Sequence, residues 1–380
     1  MTTAQRFIAL DVFRGMTICF MIIVNTGGSI APGMGHPFAP LLHAQWHGFT
    51  PTDLVFPSFL FAVGNAMSFS LGRYRELGDG AFLKKILSRT ILIFLLGYLM
   101  YWFPFFRLDG SGHVIGFPIG ETRIMGVLQR IALCYFFGAL FIRYFSVRAL
   151  VVISAILLLG YWIILLAFGD SQQPFSMLGH AGHPLDKMIL GTKHMYHGEE
   201  VPFEPEGILG TLPAIVNLLI GYLAGKFIQR SGKNYETIAK LMLAGAALIF
   251  IALCWNMIFP INKKLWTSPF VLLTTGIDCL LISSLLYIME IKGKNNNWWT
   301  KFFVVFGRNP LIIYLLSELL ATVMYMAQVN GKSFYEWIND VLFQTIAPGA
   351  IGSLLFAVTY MLFCWSVGWL LNKRKIYIRV

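Results

Sequence analysis

Apolar residues in this chain come in long unbroken runs separated by short polar stretches, not at the alternating period of a half-buried strand. A helix needs about 20 such residues to cross a roughly 30 Å hydrocarbon layer. Ten runs approach or exceed that length: residues 7–24, 52–71, 86–103, 124–142, 150–168, 208–227, 239–258, 268–290, 309–327 and 349–371. They predict an all-α fold, a polytopic membrane helix bundle with about ten transmembrane helices in one domain over residues 1–380. Lys and Arg sort by side when the connections are taken alternately. Twenty fall on the side of both termini and seven on the other, with Arg14 and Arg130 inside runs. Positive residues collect on the cytoplasmic face, so the N-terminus and the C-terminus are both expected in the cytoplasm. The first run has only Arg6 ahead of it and no small-residue cleavage site after it, which predicts a retained span.

Composition strengthens this picture. The chain is 57% hydrophobic and only 12% charged, with mean hydropathy +0.68. Soluble domains carry roughly a quarter charged residues. The net charge of +11 lies in short clusters between apolar runs, which is a topogenic pattern and argues against a nucleic-acid partner. The five cysteines sit inside apolar runs without CxxC spacing. All eight histidines fall on the non-cytoplasmic side, most of them in two long loops at 25–51 and 169–207. The later loop spaces His180, His183, His194 and His197 by three, eleven and three. No Cys or ordered carboxylate joins them, so no metal is expected.

Polar residues within spans are costly and mark candidate sites. Asp11 and Arg14 share a helical face as an ion pair or a substrate contact. Gln129 and Arg130 require a partner, either structural or a ligand phosphate. For Asn65, Asn217, Asp278 and Glu318 interhelical hydrogen bonding is the simpler role. The densest polar region is VNTGGS (24–29) with HAQWHGFTPTDLVFP (43–57). Thr50 or Thr52, Pro51 and Asp53 suit a helix start. That leaves His43, His47 and Asn25 gathered with Asp53 unexplained. A His beside a carboxylate is the pairing of a general base, and satisfied loop histidines are the plainer alternative.

These residues resemble a known family. LDVFRGMTICFMIIVNTGG (10–28) and HAQWHGFTPTDLVFPSFLFAVG (43–64) look like the opening of the heparan-α-glucosaminide N-acetyltransferase family. RIMGVLQRIAL (123–133), FEPEGILGTLPAIVNLLIGYLAGK (203–226), LWTSPFVL (265–272) and GRNPLIIYLLSE (307–318) follow in family order. The resemblance implies a transmembrane transfer of acetyl from cytoplasmic acetyl-CoA, as co-substrate, to the amine of a glucosamine-like sugar on the periplasmic side of a bacterial inner membrane. His43 stands at the family's catalytic His, with Asn25 and Asp53 at its Asn and Asp. His47 stands where the family often has Asn. The resemblance is expected to exclude the long N-terminal luminal domain and extra span of the animal enzyme, so a small amino sugar or cell-wall fragment is the expected acceptor. Arg14, Arg123, Arg130 and Gln129 are expected at the CoA, and Trp46, His47 and Glu206 at the acceptor. The other partners expected are the lipid bilayer and a second copy of the chain as a homodimer. The competing function is a membrane transporter or flippase for a sugar or cell-wall fragment.

Overall fold

A backbone in hydrocarbon has no water to satisfy its N–H and C=O groups, so spanning segments close their own hydrogen bonds as helix. All ten runs do so in the computed structural model, which describes residues 7–27, 37–74, 78–108 and 113–378. Arg6, Gly28, Ser29, His36, Arg75 and Arg379 lie outside these residues. The helices are α1 (Ile8–Gly27), α2 (Val55–Ser70), α3 (Asp79–Trp102), α4 (Val127–Tyr144), α5 (Val147–Phe168), α6 (Gly182–Ile189) and α7 (Thr211–Ser231). They continue as α8 (Tyr235–Trp255), α9 (Ser268–Leu286), α10 (Trp298–Arg308), α11 (Pro310–Met326), α12 (Phe334–Ile338), α13 (Gln344–Ile346) and α14 (Ala350–Lys373). Two short hairpins, β1–β2 (Phe106–Leu108, Val114–Gly116) and β3–β4 (Gln328–Val329, Lys332–Ser333), are the only sheets among the described residues.

Among the described residues, seven helices are long and apolar enough to cross a membrane, or up to eight if a bent pair forms one span. The expected all-α membrane fold is the one adopted. Of the remaining runs, α2 has only 16 residues, flanked by the 3-10 turns Pro51–Leu54 and Leu71–Tyr74. The first turns of α3 carry Asp79, Lys84, Lys85 and Arg89. Four helices fall where the runs predict loops, α12 and α13 among them in the connection at 328–348. α6 lies within the 169–207 loop, and α10 occupies a stretch whose Lys301 and Arg308 read as loop charge. At 8 and 11 residues, both are too short for a pattern measured against membrane thickness.

The chain forms two compact units. Unit 1 comprises Met1–Gln45, Phe49–Phe59 and Ser284–Arg379, so it holds α1, the start of α2, and α10 to α14. Here α1 packs on α10 and α14. A Cβ at Gly15 would overlap the Phe303 carbonyl oxygen, and one at Gly307 would overlap that of Asp11. Two glycines thus let the backbones of α1 and α10 touch, as small residues do between membrane helices. Between α10 and α11 the chain bends by 79° at Asn309, ahead of Pro310. Fully buried Asn309 donates to the Ile376 carbonyl at 3.0 Å and accepts from the Ile378 N–H at 3.0 Å, pinning the segment after α14.

Unit 2 comprises Trp46–Gly48, Leu60–Ser283 and Val380. Its core helix is α7, against which α4, α5 and α8 pack. Gly64 meets the Leu218 carbonyl and Gly221 meets the Phe61 carbonyl, so α2 and α7 also approach backbone to backbone. Within this unit Asn217 ties α7 to α9 and to the turn that precedes it. Its amide donates to Thr274 Oγ1 at 3.1 Å and its carbonyl accepts from Trp266 Nε1 at 2.9 Å.

Candidate active site

In unit 1 the loop before α2 folds around one carboxylate. Thr50 caps the Pro51–Leu54 turn and Asp53 reaches back to the Thr50 N–H at 3.0 Å, a reciprocal cap. The Thr50 hydroxyl donates to the Leu42 carbonyl and that of Thr52 to Pro40, which draws the strand of loop carrying His43 over the cap. Asp53 is completely buried. A bare carboxylate there would be expensive, and its partners offset that cost. Oδ2 also accepts from the Ala44 N–H at 3.2 Å, and Oδ1 lies 2.7 Å from His43 Nδ1. The His43 side chain keeps 47% of its surface exposed while Asp53 keeps none. An anion at Nδ1 fixes the proton there, which leaves Nε2 as the basic nitrogen of the neutral ring.

Elsewhere in unit 1, Asn25 donates to Glu318 Oε1 at 3.0 Å, linking α1 to α11, and Arg14 pairs with Asp11. For Glu318 interhelical hydrogen bonding is the simpler expectation, and this contact supplies such a bond.

In unit 2, Arg123 is held by two carboxylates. Its Nε donates to Glu204 Oε2 at 3.0 Å and its Nη2 to Glu204 Oε1 and, at 2.6 Å, to Glu206 Oε2. Tyr101 and Tyr196 face the guanidinium at 5.1 and 4.8 Å. Burial pushes the Glu204 carboxyl up to about 7, against the pull of Arg123. Burial acts to raise Glu206 too, but Arg123, Arg130 and Lys263 outweigh it and hold that carboxyl low. Arg130 is fully buried; its Nη2 donates to the Gly207 carbonyl at 2.9 Å and its carbon stands 4.9 Å from the Trp266 ring. Its Nε and Nη1, and both amide atoms of Gln129, have no hydrogen-bond partner among the described residues. Asp186 accepts from the Ile208 N–H at 2.8 Å, and burial raises its carboxyl to about 6 despite that bond and the charge of Arg130.

Trp46 and His47 belong to this second unit. The Trp46 indole donates to the Phe175 carbonyl at 2.9 Å and meets Phe203 edge to face. Lys264, paired with Glu199, stands 5.9 Å from the Trp46 ring. His47 Nδ1 lies 3.3 Å from the Asn262 amide nitrogen. So His43, Asp53, Asn25 and Arg14 lie in unit 1, whereas Arg123, Arg130, Gln129, Trp46, His47 and Glu206 lie in unit 2.

A family model described as heparan-alpha-glucosaminide N-acetyltransferase, catalytic, matches residues 6–255, about two thirds of the chain. The chain belongs to this acetyltransferase family. Two curated relatives, the heparan-alpha-glucosaminide N-acetyltransferases of Mus musculus and Homo sapiens, are each 26% identical to it. The mouse alignment covers 94% of this chain and 60% of the relative; the human one covers 83% and 53%. The acetyltransferase-family match takes in His43, Asp53, Arg123 and Glu206, and stops before Trp266 and Glu318.

Sequence reasoning points to Glu206 in the FEPEG segment and passes over Glu204, which makes the two-oxygen contact with Arg123. Glu204 takes its meaning from its burial against Arg123, 81 residues away in sequence. Asp186 and Asn262 give no sequence signal either, because each takes its meaning from a fold contact remote in sequence. Among the described residues, no group of three or more His, Cys, Asp or Glu is arranged to hold a metal.

Proposed function

We propose that this chain is a transmembrane N-acetyltransferase that moves acetyl from cytoplasmic acetyl-CoA to the amine of a glucosamine-like sugar on the periplasmic side of a bacterial inner membrane. The observation that carries the reading is the His43 Nδ1–Asp53 Oδ1 contact of 2.7 Å on a buried carboxylate, in a member of this family. An amine attacks a thioester carbonyl only with its lone pair free. His43 Nε2 takes the amine proton as the N–C bond forms, the C–S bond breaks, and the same proton passes to the departing CoA thiolate. Asp53 orients the ring and supports its cationic form during that interval. Asn25, beside Glu318, completes the catalytic set.

Of the four residues assigned to CoA, Arg130 and Gln129 retain hydrogen-bonding capacity that the described protein does not use. Arg14 and Arg123 are already paired with carboxylates and act in this reading by placing their neighbours. Trp46 offers a ring face to a sugar, with His47 and Glu206 as polar contacts. The full topology of the reading is ten crossings with both termini cytoplasmic, and a homodimer as the assembled form.

The test is purified full-length chain with acetyl-CoA and glucosamine, following CoA release. Release that falls by roughly 10²–10⁴ in His43→Ala supports the enzyme. Uptake of an amino sugar into proteoliposomes without CoA, unchanged in His43→Ala, would favour a transporter. Trapping labelled acetyl on His43 without an acceptor would replace direct transfer with a covalent route.

A further inference from the structure

Within unit 2 the ends of α2, α4 and α7 meet the start of α3 around a cavity of about 360 Å³. That is near the lower end of the roughly 300–1,000 Å³ usual for small-molecule pockets, room for a headgroup rather than a whole cofactor. Three cations line it: Arg143 from α4, and Lys226 and Arg230 from α7. Hydroxyls of Ser68 and Tyr222 and the amide of Gln229 complete the polar wall.

Lys226 and Arg230 stand four residues apart on one helix, a like-charge spacing that destabilises unless an anion lies between. The protein provides little to answer them. Lys226 Nζ donates to the Tyr222 hydroxyl at 3.1 Å, a neutral partner, and no ion pair of Arg230 occurs among the described residues. Arg143 is braced differently, donating to Asp79 at 3.1 Å and lying 5.1 Å from the Phe82 ring. Below them Gln229 donates to Ser68 Oγ at 2.5 Å, and Ser68 donates to the Asn65 carbonyl at 2.7 Å. The amide of Asn65, itself 2% exposed, has no partner among the described residues. A cation in the last turn of α4 or α7 would be explained by the helix dipole. Convergence of three on one void is not.

We propose that this cavity binds the phosphate of a phosphate ester presented from the side to which the Lys and Arg count assigns the cytoplasm. Two guanidinium groups and an ammonium around hydroxyl and amide donors match a phosphate's acceptor oxygens. Two ligands carry that group there: the nucleotide end of CoA and the headgroup of an anionic phospholipid. The CoA source rests on the acetyltransferase reading; the lipid source does not. Arg143 lies 13 residues beyond Arg130 on α4, roughly 20 Å along the axis at the helical rise. An extended CoA arm anchored by phosphate at this end would therefore run toward Gln129 and Arg130.

The test uses full-length chain in phosphatidylcholine nanodiscs, with one arm reading CoA affinity and a second reading phosphatidylglycerol binding by native mass spectrometry. Lys226→Gln/Arg230→Gln should weaken binding in at least one arm by about tenfold or more. Lys226→Arg/Arg230→Lys should stay within about threefold, because the charge remains. Loss in the CoA arm identifies the nucleotide, and loss in the lipid arm identifies the headgroup. Gly72→Trp gives a second probe that leaves every cation in place: Gly72 lines the cavity, and a Cβ there meets nothing within 4 Å. It should block whichever ligand binds. Unchanged affinity in both arms for the Gln pair and for Gly72→Trp overturns the proposal. A wild-type chain that neither binds CoA nor releases it with glucosamine sinks the acetyltransferase reading alone, and the lipid arm still decides the cavity.

Discussion

His43 stands half exposed with its Nδ1 on a carboxylate that is wholly buried, and an anion at Nδ1 leaves Nε2 as the proton-accepting nitrogen. Asp53→Asn keeps the shape of the cap but presents either an amide N–H or a neutral oxygen to His43. With the N–H toward Nδ1 the ring must carry its proton on Nε2 and loses its base. Turnover should fall by at least about a hundredfold while thermal stability changes little, and ¹⁵N spectra of the imidazole should show the other tautomer. Unchanged turnover would refute the orienting role. Asp186 makes a separate prediction. Its carboxyl binds a proton more tightly in the fold, at about 6, than at its ordinary 3.8. The fold is therefore favoured below the lower value and loses that contribution as pH rises through about 6. Asp186→Asn, which retains an oxygen for the Ile208 N–H, should flatten the decline in melting temperature across that window. At this scale, motif and chemistry make His43 and Asp53 legible in the sequence. Glu204 and Asp186 are not, because their importance comes from burial against Arg123 and near Arg130, which only folding creates.

Helix by helix, legibility follows length. A run long enough for a bilayer declares itself through hydropathy alone, so every one of the ten emerges as helix. α10 hides because WWTKFFVVFGR divides its apolar and charged residues between two faces within three turns. Its place is set by contact: Gly307 and Gly15 bring its backbone against α1. Gly15→Val must push two carbonyl-bearing backbones apart, an overpacking that costs about 1–3 kcal/mol or more. The expected result is lower melting temperature and poor recovery from detergent. The same change at Gly80, where a Cβ meets nothing within 4 Å, should be tolerated. Equal stability of the two variants would show that the close approach is unimportant.

For the molecule as a whole, the sidedness of the reading can be checked without any activity. In a background without native cysteines, Lys294→Cys should react with a membrane-impermeant maleimide only from the cytoplasmic face, and Lys264→Cys only from the other. Labelling of both from one face would break the alternation on which the donor and acceptor sides rest. Charge counting makes that alternation visible, but it cannot show that the last stretch of chain is anchored. Ile376 and Ile378 fasten to the buried amide at the α10–α11 bend. Anyone shortening this protein for expression after Lys373 would strip a side chain of both bonds at a bend where two helices turn through 79°. The end of the chain is thus a poor place to trim: a truncated copy would reach the membrane with an open seam, and the cell's proteases are suited to find it.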